Sequence, residues 1–454
     1  MAVVWAEQAL TPDGWQPAVR VEIGEDGTIS SVRAGVAKEG YHVGMLLPAP
    51  ANLHSHAFQR AMAGMSERRG PDPTDTFWTW RQLMFRFLDH LTPDDVEAIT
   101  AHVQMEMLEA GYAASVEFHY LHHQPGGAPY SNIAEMSERI VAAAVESGIG
   151  LTLLPVLYRY GGCDGRPLAP GQIRFGNSLD QFSRLFDGAR AAIGRLRSDA
   201  RIGVAPHSLR AVSADDLDFT VELVPDAPIH MHLAEQVGEV EEVVARHGAR
   251  PVEWLLGRHR IDQRWCLIHC TQMQPHETTA LAQSGAVAGL CPITESSLGD
   301  GIFDGVRFAQ AGGRFGIGSD SNIRISLAEE LRTLEYSQRL RDRARALHAT
   351  REKSTGRVLF EEAAAGGGQA AGRLAGAIGE GMLADLVAFD RSNVDLEGRA
   401  GDDVIDSFIF VAGDAAISDV WSAGQHLVEH GRHIRRDTIT QRYRATMQGL
   451  RSRL

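Results

Sequence analysis

Eight short, nearly all-apolar runs recur along the middle of the chain: LLPAPANLHSH, ASVEFHY, GIGLTLLPVLY, ARIGVAPHS, APIHMHLAE, RWCLIHC, GAVAGLCP and GRFGIGSDS. Between most of them lie amphipathic segments of helical period, such as DDVEAITAHVQMEMLEAG, NIAEMSERIVAAAVESG and EVEEVVARHG. A strand that is apolar on both faces has to be covered on both faces. Alternation with helices of this length is the pattern of a parallel sheet under helical cover. Eight such units predict an α/β fold, a closed (β/α)8 barrel of the TIM type. An open doubly wound sheet is the alternative, but no G-x-G-x-x-G follows the first run.

The two ends of the chain read differently. VRVEIGEDGTISSVRAG holds two alternating runs joined at Asp26-Gly27, a hairpin signal. Beyond the helix SLAEELRTLEYSQRLRDRARALH, the stretch FEEAAAGGGQAAGRLAG reads as the end of a closely packed helix rather than a linker. Strand-like text then returns in MLADLVAFD, DSFIFVAG and ISDVWSAGQHLVEHG. Residues 1–47 and 376–454 are therefore expected to form a small β-sandwich domain with a C-terminal helix. Residues 48–375 are expected to form the barrel.

Composition narrows the function. The chain has 454 residues, 44% of them hydrophobic and 22% charged, as in a soluble globular protein, and a formal net charge of −14. That charge argues against nucleic acid or anionic membrane as a general partner. No run is long enough to span a membrane, and the N-terminus lacks the basic and apolar regions of a secretory leader. Four cysteines make no C-x-x-C and no disulfide framework. Cys266 and Cys270 lie in an apolar segment and read as core thiols, which points to a reducing, cytoplasmic setting. Only Lys38 and Lys353 are lysines, so Schiff-base or carbamylated lysines have almost no candidates.

The chemistry sits at the ends of the predicted strands. The first ends in His54-Ser55-His56, and residues two apart on a strand face one side, so both imidazoles can meet one metal. Taken alone this is weak, since about one H-x-H arises by chance at this histidine content. The fifth reads Ile229-His230-Met231-His232-Leu233-Ala234-Glu235. Hydrolysis at a metal needs a neutral imidazole and a nearby carboxylate that shuttles protons, which His232 and Glu235 supply. His230 is left as a supporting or core residue. The sixth strand ends at His269, and the eighth at Asp320 in GIGSDS. Together these residues fall on the C-terminal face, where barrel active sites are built.

On NLHSHAFQR, HMHLAEQ, GIGSDS and the tail motif GEGMLADLVAFD, the chain resembles the amidohydrolase superfamily over almost its whole length. The resemblance implies one divalent metal, usually zinc, on His54, His56, His232 and Asp320. Binuclear members bridge two metals with a carbamylated lysine, and neither lysine lies inside the barrel motifs, so a mononuclear, deaminase-like site is expected. In it Asp320 takes the proton of the attacking water. His269 hydrogen-bonds the nucleophile and the tetrahedral intermediate, and Glu235 protonates the departing nitrogen. The substrate should carry an sp2 carbon bearing nitrogen.

The surroundings of that face suit an acidic substrate. Strand four ends His207-Ser208-Leu209-Arg210, strand two ends Glu117-Phe118-His119-Tyr120, and Trp78-Thr79-Trp80-Arg81 follows strand one. An arginine at such a place is suited to bidentate carboxylate binding. The stretches LHSHAFQRAMAG, FWTWRQLM, EFHYLHH, HSLRAV, IHMHLAEQ, QRWCLIH, SGAVAGLC, LGDGIF and GIGSDS are more specific and resemble the formiminoglutamate deiminase family of bacterial histidine degradation. That resemblance implies N-formimino-L-glutamate as substrate, with Gln59, Arg81, Tyr120, His207 and Arg210 as its contacts, and a homodimer. Another deaminase of the superfamily, acting on guanine, cytosine or an adenosine derivative, is the nearer alternative. A non-catalytic scaffold on the same fold is the remoter one.

Overall fold

In the computed structural model, which describes residues 2–67 and 76–453, the apolar runs form a ring of parallel strands. These are β1 (Ala51–Ser55), β2 (Ala114–His119), β3 (Gly150–Leu157), β4, β5 (Ile229–Leu233), β6 (Trp265–His269), β7 (Val287–Leu290) and β8 (Arg314–Ile317). The fourth is two short pieces, Arg201–Ile202 and Ala205–Pro206, both paired in parallel with β3. Two seams join the sheets. Val204 bridges Ile229 between β4 and β5, and Ser55 bridges Asp320 between β1 and the end of β8. The second seam is made by Asp320 N–H to His54 O and His56 N–H to Asp320 O, both 2.9 Å. Ring closure therefore passes through the residues expected to hold the metal.

The strands are buried along almost their whole length, as strands covered on both faces must be. The glycine-rich stretch is the C-terminal half of a helix, Thr355–Ala371, as its sequence suggested. A Cβ on Gly366 would stand 1.9 Å from the carbonyl oxygen of Phe315, so the helix lies directly on β8 because that position has no side chain.

Both chain ends enter one eight-stranded sheet beside the barrel. Its strands, in spatial order, are Arg432–His433, Gln425–Glu429, Ile417–Ser422, Leu386–Phe389, Tyr41–Pro48, Ala2–Thr11, Gly14–Ile23 and Ile29–Arg33. The hairpin at Asp26-Gly27 is present, with Gly27 in the left-handed region at φ +82°. One expectation fails. DSFIFVAG is not a strand: Asp402–Ser407 is α-helical and Phe408–Ala412 continues it as a π-turn. Its apolar run is buried by packing in a helical conformation: Phe408 and Ile409 lie in the core, with Phe408 stacked on Phe389 of the sheet and edge-on to Phe360 of the helix Thr355–Ala371.

Candidate active site

The C-terminal ends of the strands open into a cavity whose lining includes His56, Gln59, Arg81, Tyr120, His207, Arg210, His232, Glu235, His269 and Asp320. His54 lies directly beneath it, fully buried. All eleven residues singled out from the sequence are thus brought to one place. Backbone geometry marks the same spot: Ala234, His269, Cys270 and Asp320 have φ between +47° and +70° at the ends of β5, β6 and β8. Such conformations are uncommon for residues with a Cβ and concentrate where a fold must aim side chains.

Four donor atoms, from His54, His56, His232 and Asp320, lie within 4.8 Å of one another, all buried. His54 Nε2 is 3.1 Å from His232 Nε2. Asp320 Oδ1 is 3.5 Å from His54 Nε2 and 3.3 Å from His56 Nε2. The tautomers are set by the backbone. His56 Nδ1 donates to the carbonyl of Phe118 at 2.9 Å, and His232 Nδ1 to that of His207 at 3.2 Å. Both rings therefore turn an Nε2 lone pair inward, as metal-ligating histidines do. Burial keeps the rings neutral, pulling His54 down to about 3 and lowering His56 and His232. The Asp320 carboxyl is the reverse case: burial would raise it, but the hydrogen bond and charge of His54, with His269 and His56 nearby, hold it well below the carboxylate range. Neutral imidazoles around one carboxylate fit a divalent cation. His230 takes no part, since its Nε2 bonds the carbonyl of Ala370 at 2.8 Å. The four cysteines are free and buried, and Cys266 and Cys270 are not in this cluster.

Two carboxylates flank His269 beside the cluster. Glu235 Oε1 and Asp320 Oδ2 lie 3.9 and 3.8 Å from His269 Nε2, which has no hydrogen-bond partner among the described residues. The other nitrogen of His269 is held by Glu295 at 3.2 Å. Burial would lower this imidazole, but the bond to Glu295 and the charges of Glu235 and Asp320 outweigh it and push it up to about 10. Glu295 also accepts the Cys291 N–H at 2.8 Å. The stretch CPITESSLGDG thus carries the carboxylate that orients His269.

The opposite wall carries two arginines. Arg210 donates to Glu235 Oε2 at 2.8 Å and lies 3.7 Å from Glu239, with all three side chains buried. Glu239 in turn accepts the N–H groups of Ala234 and Glu235. Arg81, on the helix Phe77–Leu88, donates to the Tyr158 hydroxyl at 2.7 Å, its guanidinium 5.1 Å from the Phe85 ring centre. Gln59 donates to Tyr120 at 2.7 Å, while its Oε1 is buried without a partner among the described residues. His207 packs edge-on to Tyr158.

Sequence reasoning missed Tyr158, Glu239 and Glu295. Tyr158 follows the last residue of β3, so the strand-end rule that found the histidines also applies to it. Glu239 stands four residues after Glu235, one turn into the helix Val237–His247. Glu295 left no signal in one sequence, because its partner is 26 residues away.

Comparison with known proteins agrees with this geometry. The amidohydrolase family matches residues 45–427, and the N-terminal domain of formimidoylglutamate deiminase HutF matches residues 1–41. A formimidoylglutamate deiminase of Pseudomonas aeruginosa is 45% identical over 95% of this chain and 96% of its own. The crystal structure of an amidohydrolase from Brucella melitensis superposes with a TM-score of 0.95 at 47% identity, covering 99% of this chain and 100% of that one. A zinc-bound adenosine deaminase from Xanthomonas campestris, at 20% identity and a TM-score of 0.81 over 99% of this chain and 98% of its own, shares the fold. The chain belongs to the amidohydrolase family and, within it, to the formimidoylglutamate deiminase group.

Proposed function

We propose that the chain hydrolyses N-formimino-L-glutamate to N-formyl-L-glutamate and ammonia. One observation carries the reading: in a single cavity, a His54–His56–His232–Asp320 cluster with the Glu235 carboxylate beside it faces Arg81 and Arg210. A formamidine with two carboxylates needs a hydrolytic end and a cationic end. A nucleobase would not need both arginines.

A single divalent ion, zinc in our reading, would be held by His54, His56, His232 and Asp320, and would supply Lewis acidity that brings the pKa of water from about 15.7 toward 7. Both lysines are remote from the cluster, Lys353 paired with Glu361 and Lys38 lying over Trp5, which supports one metal rather than a lysine-bridged pair. Asp320 takes the proton of the attacking water. His269 donates through Nε2 to the oxygen as charge builds on it. Glu235 receives a proton and delivers it to the terminal nitrogen, so that the C–N bond breaks with ammonia rather than amide ion leaving. The unpartnered Gln59 Oε1 can accept an N–H of the formamidine. Arg81, Arg210, Tyr120 and His207 bind and orient the carboxylates.

Further assignments belong to the same proposal. The barrel comprises residues 48–375 and the sandwich residues 1–47 and 376–454, a division supported by the sheet that joins both chain ends. The enzyme is a cytoplasmic homodimer, on the strength of the family alone. The test is ammonia release from N-formimino-L-glutamate by zinc-reconstituted protein, with guanine, cytosine and N-formimino-L-aspartate alongside. A strong preference for the glutamate derivative is expected. A metal-loaded protein inactive on it overturns the substrate while leaving the hydrolytic site.

A further inference from the structure

Tyr158 has a hydroxyl whose hydrogen bonds can be counted. Its oxygen receives Arg81 Nη2 at 2.7 Å and Gln172 Nε2 at 2.8 Å. Arginine can only donate. The Gln172 amide is oriented independently, because its Oε1 accepts the Ala169 N–H at 2.8 Å, which leaves Nε2 as the end facing Tyr158. Both lone pairs of the phenol are therefore taken by donors, and neither neighbour can accept its proton. Among the described residues no acceptor is bonded to that O–H. The side chain is 2% exposed and lines the active-site cavity with Arg81, His207 and Phe175. A buried donor without an acceptor is costly. Beside a guanidinium, its natural complement is an anionic oxygen.

We propose that Tyr158 is a further substrate-recognition residue, which donates its phenolic proton to the same carboxylate that Arg81 binds. Arg81 supplies the charge and Tyr158 the second, directional bond. Gln172 acts as a positioning residue that keeps the phenol oxygen saturated and its proton turned to the cavity. The pairing also explains why a tyrosine serves here: a phenylalanine would keep the packing against His207 and Phe175 but offer neither the acceptor for Arg81 nor the donor for the ligand. The inference rests on the deiminase reading for the identity of the ligand, although the subsite itself requires only a carboxylate.

The test uses glutarate, a dicarboxylate without the reactive carbon, so binding is read apart from turnover. Calorimetric titration of zinc-loaded wild type, Tyr158→Phe and Gln172→Met is expected to show glutarate binding weakened about 10- to 100-fold by Tyr158→Phe, the range for a bond to a charged group. Gln172→Met, which keeps the tyrosine proton but no longer directs it, should cost less, about 3-fold. Thermal melting of each variant monitors the fold. Three results overturn the proposal: no glutarate binding by wild type, unchanged binding by Tyr158→Phe, or equal losses in the two variants, which would make Tyr158 only a support for Arg81. With N-formimino-L-glutamate, Tyr158→Phe should raise KM much more than it lowers kcat. Wild type that binds glutarate but releases no ammonia from N-formimino-L-glutamate would overturn the deiminase reading and leave the carboxylate subsite standing.

Discussion

The two walls of the cavity are built in different ways. On the hydrolytic wall the side chains hang from the ends of barrel strands, and backbone atoms fix the orientation of the histidine ligands His56 and His232. The carbonyls of Phe118 and His207 set the tautomers of His56 and His232, and the His54–Asp320 backbone pairing closes the ring. On the recognition wall, Arg81 comes from a helix before β2, Tyr158 from the end of β3 and Gln172 from a short 3-10 turn. Side chains alone hold them to one another. A site anchored in backbone pairing cannot drift without opening the barrel, whereas one anchored in side-chain bonds can be retuned by single substitutions. Reaction type should therefore follow the first wall and substrate choice the second.

Metal removal is the strongest test of the hydrolytic wall. Chelation, or His232→Ala, is expected to reduce turnover to near background, with zinc restoring the chelated protein and metal analysis giving one ion per chain. Two tightly bound ions per chain would contradict the mononuclear assignment. Glu235→Gln comes next. It keeps the shape and leaves the proposed ligands intact, so metal content should be unchanged while kcat falls by about 10²–10⁴, the usual worth of a positioned acid–base group. Near-normal turnover would remove Glu235 from proton transfer.

What could be read from the sequence follows the same divide. His54, His56, His232, His269 and Asp320 were legible because period-2 strands and the C-terminal rule convert position in the chain into position at the barrel mouth. Arg210 was legible from the strand end that carries it, but Arg81 needed the help of a family resemblance, since nothing in FWTWRQLM says that its helix folds over the cavity. Tyr158 escaped although it ends a strand, because its partners Arg81 and Gln172 lie 77 and 14 residues away. DSFIFVAG was misread for a related reason. Its apolar run fills the core between the helix Thr355–Ala371 and the sheet, against Phe360 and Phe389, and tertiary burial overrode a strand-like pattern.

Arg210→Met is where the comparison can be broken, because Arg210 belongs to both walls. It is proposed to bind a substrate carboxylate, and it already donates to Glu235 at 2.8 Å beside a buried Glu239. Loss of a charged hydrogen-bond partner should lower kcat/KM for N-formimino-L-glutamate by about 10- to 100-fold. A neutral formamidine should lose much less. Equal losses on the two would mean that Arg210 serves the chemistry by holding Glu235, and that Arg81 and Tyr158 do the recognising.

The smallest expected effect is at Glu295, and it sharpens the comparison most. Glu295 lines neither wall. It acts on the hydrolytic wall through His269, whose Nδ1 it binds at 3.2 Å and whose proton affinity it raises. Glu295→Gln keeps an oxygen that can accept the Nδ1–H and the Cys291 N–H, but withdraws the negative charge. About a 10-fold loss in kcat is expected, with KM for N-formimino-L-glutamate and metal content little changed, as supporting carboxylates behind a catalytic imidazole are worth about 10- to 100-fold. A variant that changes KM instead would show that His269 contributes to binding, and the line between the walls would have to be drawn on its other side. The result matters because His269, like Glu235 on Arg210, is a proposed catalytic group whose orientation comes from a side chain rather than from the barrel backbone. If one carboxylate can hold it as firmly as the strand-end carbonyls hold His56 and His232, backbone anchoring is sufficient for this chemistry but not required by it.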